Sequence, residues 1–145
     1  MSQITVYLHF DGKCEEAFSF YKDVFNAETL GLLTYRDIPV QDGMPAIPED
    51  DLSKVENICI RISKDTILMG SDSLGVFGEK IIAGNNFSIY FEAESQDQAD
   101  RYFNGLSNGG QVVVPLGPAH WGGYFGKCTD KFGISWLINF SVSQS

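Results

Sequence analysis

The sequence predicts an α+β chain of two βαβββ modules whose curved mixed sheets enclose a cleft. Three observations carry this. The hydrophobic period switches from two to about 3.6 and back in each half of the chain. The order of strand, helix and further strands restarts near residue 86. Similar residues recur at a fixed offset: Glu15-Glu16-Ala17 with Phe20-Tyr21 falls on Asp97-Gln98-Ala99 with Tyr102-Phe103 at an offset of 82, and the preceding strands superpose at 81.

The elements follow in order. Residues 4–10 alternate, with Val6, Leu8 and Phe10 on one side and Thr5, Tyr7 and His9 on the other, which predicts a strand broken at Asp11-Gly12. Over 13–25, Ala17, Phe18, Tyr21, Val24 and Phe25 form a helical stripe, and Glu15 and Glu16 suit the positive end of the helix dipole. Leu30–Tyr35 reads as a short strand, followed by a loop over 37–54 with Pro39, Pro45 and Pro48. A loop of that length is either a lid or binding loop or a surface excursion without function. Strands are predicted at Asn57–Ser63 and Thr66–Met69, joined by a turn at Lys64-Asp65. Residues 70–86 are rich in Gly, Ser, Asp and Asn, which sets a linker at about 73–85 between module one (about 1–72) and module two (about 86–145) of one 145-residue domain.

In the second module, Phe87–Glu92 alternates, with Ser88, Tyr90 and Glu92 on one side. Ser95 and Gln98 have capping-box spacing for a helix with Ala99, Tyr102, Phe103 and Leu106 on its apolar stripe, ended by Gly109-Gly110. Gln111–Val114 is a strand, 115–126 a Gly-rich aromatic loop, and Ile134–Val142 a long last strand with Trp136 in the core.

Composition narrows the function classes. The net charge of −9 disfavours nucleic acid and anionic membrane surfaces as partners. No apolar run approaches the roughly 18 residues of a membrane span, and the first ten residues lack the features of a signal peptide. Cys14, Cys59 and Cys128 are widely spaced, form no CxxC pair and read as free thiols in a reducing cytoplasm.

With the apolar faces under the helices, the opposite faces carry Thr5, Tyr7, His9, Asn57, Cys59, Arg61, Ser88, Tyr90 and Glu92. Such a face lines a ligand site or is simply solvated. His9 is a ligand or proton carrier, or a histidine bonded to a neighbour. Arg61 clamps a ligand anion, or pairs with Glu56 or Glu92. Cys59 suits an inert thiol better than a nucleophile, and Asp72 suits a turn. Trp121, Tyr124 and Phe125, set among Gly117, Gly122, Gly123 and Gly126, close over a ligand, pack a dimer contact or join the core. The Gly-x-Gly runs do not follow a strand and open a helix, so no dinucleotide or phosphate loop is expected.

The run Tyr7-Leu8-His9-Phe10-Asp11-Gly12-Lys13-Cys14-Glu15-Glu16-Ala17, with Phe20-Tyr21 and Phe25-Asn26-Ala27-Glu28, resembles the opening of PhnB-like proteins, a branch of the vicinal-oxygen-chelate (glyoxalase/bleomycin resistance/extradiol dioxygenase) superfamily. Leu68-Met69-Gly70-Ser71-Asp72 resembles its middle. Gly109-Gly110 and Asp130-Lys131-Phe132-Gly133-Ile134-Ser135-Trp136 with Ile138-Asn139 resemble its end. The resemblance implies the glyoxalase/bleomycin-resistance fold, commonly a homodimer. In the superfamily's enzymes a divalent metal binds two neighbouring substrate oxygens, whereas other members bind antibiotics without catalysis. This chain departs from the metal-binding pattern: Asn57 stands where relatives often carry His, and Leu137 where metal-dependent members carry Glu. Only His9, Glu56 and Glu92 remain as weak candidate ligands, since His120 lies in the Gly-rich loop. Relatives sometimes carry a ubiquinone methyltransferase label, yet no nucleotide-type methyl-donor site is seen. The expectation is a cytoplasmic homodimer that binds a small molecule through Tyr7, His9, Asn57, Cys59, Arg61, Tyr90, Glu92, Trp121 and Tyr124 without a tight metal. The alternative is a divalent-metal-dependent lyase, isomerase or dioxygenase.

Overall fold

The computed structural model describes residues 2–78 and 80–141. Module one runs β1 (Val6–Phe10), α1 (Cys14–Phe25), β2 (Glu28–Thr34), β3 (Val55–Ser63) and β4 (Thr66–Asp72). Module two repeats the series with β5 (Ile89–Glu92), α2 (Gln96–Ser107), β6 (Gln111–Pro118), β7 (Gly123–Thr129) and β8 (Ser135–Ser141). The sheets have the orders β1-β4-β3-β2 and β5-β8-β7-β6, with the first pair of each parallel and the rest antiparallel. The chain divides into two compact units at Ile82–Ala83. Among the described residues no helix is long and apolar enough to cross a membrane.

Each helix covers one face of its own sheet, as the alternation requires. Leu8, Phe10, Ile58, Ile60 and Leu68 are buried with Ala17, Phe18, Tyr21 and Phe25 of α1. The Phe18 ring meets Phe10 edge-on at 6.3 Å and Tyr21 at 5.6 Å. Burial of one such side chain contributes roughly 1.5–3 kcal/mol. In module two, Phe91 meets Tyr102 of α2 at 5.2 Å, and Trp136, Ile138 and Cys128 are fully buried.

Leu8 faces Gly70 across the parallel pair, and its counterpart at offset 81, Ile89, faces Trp136. The space that Trp136 fills in module two is taken in module one by Phe18, whose ring would lie 2.5 Å from a Cβ on Gly70. The two cores thus exchange volume between strand and helix while the backbone plan is kept.

Helix ends follow local chemistry. Ser95 Oγ accepts the Gln98 amide at 3.0 Å, but the Gln98 side chain accepts from the Glu94 amide at 2.9 Å, one residue before the position a capping box uses. Asn26 ends α1 in the left-handed region at φ 52°, which asparagine tolerates. After α2, Gly110 lies against the Thr129 carbonyl, where any side chain would clash.

Several boundaries move. The strand expected at Thr66–Met69 continues to Asp72, because Gly70, Ser71 and Asp72 pair with Leu8, His9 and Phe10. The loop expected over 115–126 is mostly strand: β6 reaches Pro118, and β7 begins at Gly123 after a tight turn. Glycines read as breakers are strand positions where other groups come close. A Cβ on Gly126 would lie 2.9 Å from Leu116 Cα, and one on Gly123 2.6 Å from Trp121 Nε1. Val142, expected to end the last strand, lies outside the described residues.

Asp72 does more than form a turn. It is 2% exposed, and its two carboxylate oxygens accept the Cys14 and Val55 amides, each at 3.0 Å. The Tyr35 hydroxyl donates to its carbonyl at 2.7 Å. One carboxylate therefore joins the start of α1, the start of β3 and the end of β4. Asp130 acts likewise in module two. Its Oδ1 accepts the Phe132 and Ile134 amides at 2.8 and 3.0 Å, and its Oδ2 accepts the Trp136 indole N–H at 2.9 Å. Asp72→Ala leaves two buried amides unpaired and is expected to lower stability by about 3 kcal/mol, with Asp72→Asn costing less because one acceptor survives. Urea unfolding of the two variants measures both.

Candidate functional site

The face of each sheet away from its helix is open, and it holds most of the residues expected there. In module one, Tyr7 and His9 of β1 lie beside Met69 and Ser71 of β4, and Cys59 of β3 lies on the other side of Met69. The Tyr7 and His9 rings are 5.0 Å apart, and the Asn57 amide donates to the Tyr7 hydroxyl at 3.2 Å. Arg61 turns instead to the β3–β4 turn, where Nη1 donates to the Lys64 carbonyl at 3.1 Å. The ion pair with Glu56, one of the alternatives for Arg61, does not form among the described residues. Glu56 is the extra residue of a bulge: Leu33 faces Asn57 and Thr34 faces Val55, so the β2–β3 register skips it.

The thiols differ in setting. All three cysteines are free, and Cys59 is half-buried on the open face. Burial, then the nearby Asp72 and Glu15 charges, pushes the Cys14 thiol far above its ordinary range. Burial, then Asp130, pushes Cys128 up to about 11. Both stay protonated and inert at neutral pH.

In module two, Tyr90 and Glu92 of β5 share the open face with Leu137, Asn139 and Ser141 of β8 and Phe125 of β7. Glu92 is engaged within its own module. Oε1 accepts the Tyr90 hydroxyl at 2.7 Å and the Asn139 amide at 3.0 Å, and Oε2 accepts the Ser141 backbone N–H at 2.8 Å. Burial raises the Glu92 pKa, but the bonds from Asn139, Tyr90 and Ser141 outweigh it and hold the carboxyl below the ordinary glutamate value. Burial and the bond to Glu92 push the Tyr90 phenol up, so it remains a donor.

Trp121 sits in the β6–β7 turn, 55% exposed, edge-on to Phe125 at 5.2 Å and to His120 at 4.9 Å. Tyr124 is not part of this face. It pairs with Phe140, so alternation turns it toward α2, where its hydroxyl donates to Asp100 at 2.5 Å. Ser88 is tied to Ser135, their hydroxyls 2.6 Å apart.

Asn139 is the residue that sequence reasoning missed. It is 4% exposed and supports Glu92 from the neighbouring strand. Its signal was a polar residue inside the apolar run Ile138-Asn139-Phe140, on the opposite parity from Trp136 and Ile138.

Among the described residues no group of three or more His, Cys, Asp or Glu side chains comes together to hold a metal ion. A shallow depression of about 370 Å³ lies between Ala83–Asn85 and Thr129, Gly133 and Ser135, and none of the expected ligand residues lines it.

Because its pKa is depressed, Glu92 contributes stability that is present above the unfolded-state carboxyl pKa and is lost as pH falls through the lower folded value. In a carbon-13 NMR titration, Glu92 is expected to protonate below the ordinary glutamate range, and Asn139→Ala to move its midpoint up. An unchanged midpoint in the variant would show that Asn139 does not hold the carboxylate.

A family model described as 3-demethylubiquinone-9 3-methyltransferase matches residues 2–139. The crystal structure of PA1353 from Pseudomonas aeruginosa has a TM-score of 0.84 at 33% identity, over 97% of this chain and 98% of that one. The PhnB protein from Bacillus cereus gives a TM-score of 0.73 at 25% identity, over 96% of this chain and 99% of its own. Protein YjdN of Escherichia coli (strain K12) is 28% identical over 97% of each chain. The fold is shared with a glyoxalase/bleomycin resistance protein/dioxygenase family enzyme from Burkholderia phytofirmans PsJN, at a TM-score of 0.60 and 12% identity over 95% of this chain and 97% of that one. With a match across nearly its whole length, the chain belongs to this PhnB-like family.

Proposed function

We propose that this PhnB-like protein binds a small organic molecule on the open faces of its sheets and does so without a tightly held metal. The observation that carries the reading is the state of Glu92. The acid best placed to be a metal ligand already accepts three hydrogen bonds from its own module. Around it the face offers rings and acceptors, the mixture typical of sites that orient organic ligands. Tyr7, His9, Asn57 and Cys59 give the first module a second polar and aromatic face of the same kind. Methyl transfer is not carried over from the family's description. The Gly-rich segment forms the β6–β7 turn and strand, and it opens no helix that could cradle a nucleotide-type donor.

The working form in this reading is a homodimer in a reducing cytoplasm. Support comes from the outer strands β2 and β6, where Leu30, Leu32 and Leu33, and Val112, Val113 and Val114, are each 41–49% exposed. Apolar edge strands of this kind are normally covered. The three free thiols suit a reducing compartment.

The test is native mass spectrometry with elemental analysis of the full chain purified without chelator. The expected outcome is twice the 16.1 kDa chain mass, no stoichiometric zinc, nickel, manganese or iron, and either a retained organic mass or a melting shift with a panel of small organic compounds. One metal per chain, lost in His9→Ala, would establish the metal-dependent lyase, isomerase or dioxygenase instead.

A further inference from the structure

One polar atom on the open face of module two lacks a partner. Asn139 is 4% exposed, and its Oδ1 has no hydrogen-bond partner among the described residues. Its amide orientation is set by its neighbours. Nδ2 donates to Glu92 Oε1 at 3.0 Å and to Ser141 Oγ at 3.2 Å, so a flip would turn the oxygen against a carboxylate. A buried acceptor left unpaired is costly, and such groups are exceptions that call for an explanation.

Oδ1 lies against Gly123. A Cβ there would lie 2.7 Å from Asn139 Oδ1 and 2.6 Å from Trp121 Nε1, so both atoms converge on the same side of this glycine. Trp121 and Tyr90 are 55% and 54% exposed, and the Tyr90 hydroxyl is already given to Glu92, which leaves its ring as contact surface. Glu92 is held ionised beside it by Asn139, Tyr90 and both the backbone and the side chain of Ser141.

We propose that Asn139, Glu92, Trp121 and Tyr90 form a site for an organic cation with N–H donors, such as a protonated amine on an aromatic body. Asn139 Oδ1 accepts its N–H group, the Glu92 carboxylate supplies the opposing charge, and the Trp121 and Tyr90 rings flank it. The site offers an unpaired acceptor, a carboxylate charge and two π faces, which match a cation that donates. Glu92 stays ionised at neutral pH through its three donors, and the chain's net charge of −9 draws cations toward it. Gly123 is needed because a methyl group there would push apart Trp121 and Asn139. The proposal rests on the small-molecule reading above and adds the class of ligand.

The experiment titrates 2-phenylethylammonium and its neutral match, 2-phenylethanol, into the full chain at neutral pH. Binding is followed through the Trp121 indole N–H resonance, with the buried Trp136 indole, bonded to Asp130, as reference. The amine is expected to shift Trp121 and not Trp136, and to bind at least about tenfold more tightly than the alcohol. By calorimetry, Gly123→Ala and Asn139→Leu are each expected to weaken the amine by about tenfold or more. Should either variant fail to fold, Trp121→Ala, at an exposed position, is expected to weaken it by about fivefold. Equal binding of amine and alcohol, no response of Trp121, or binding that ignores the substitutions overturns the proposal. If compounds other than cations still shift the melting temperature and lose that effect in Trp121→Ala, only the ligand class is wrong. If no small molecule binds at all, the underlying reading falls with it.

Discussion

A single helix can cover only one face of a four-stranded sheet. In each module α1 or α2 buries the side that carries Leu8 and Phe10, or Phe91, Trp136 and Ile138. The other side is left to whatever residues the strand alternation places there. The hydrophobic effect drives the first face, and polar and aromatic residues accumulate on the second. Both halves of the chain obey this rule with the same strand order, so the open faces follow from the fold plan.

Within that plan, buried carboxylates do the local joining. Asp72 accepts the first amide of α1 and the first amide of β3, and Asp130 shapes the β7–β8 turn while holding the Trp136 indole. In both cases the carboxylate is buried with each of its oxygens hydrogen-bonded, which makes it tolerable. Glu92 repeats the device on an open face, where its carboxylate joins β5 to β8. The motifs through which the chain resembles its family contain two of these acids, Asp72 and Asp130. The resemblance is therefore strongest where the fold is held together and says least about what is bound.

The glycines show a second level of specification. Gly70 makes room for Phe18, Gly126 for the β6 backbone, and Gly123 for Trp121 and Asn139. Local pattern reading treats such residues as breaks, which is why the first half of β7 reads as loop. Their neighbours lie on other elements, so the reason for each glycine is absent from its own stretch of chain.

Alternation, helix stripes and the internal offset are short-range properties. From them the sequence alone determined the two βαβββ modules, the helix-covered faces, and the grouping of Tyr7, His9, Asn57 and Cys59, and of Tyr90 and Glu92, on the open ones. Pairings across a sheet join residues tens of positions apart, and no local period encodes them. Only the tertiary structure decided that Tyr124 turns to Asp100, that Arg61 caps a turn, that Glu56 falls in a bulge, and that Asn139 both supports Glu92 and presents an unpaired oxygen. Each of these depends on which strands become neighbours and in what register, which is settled when the sheets and their helices pack together.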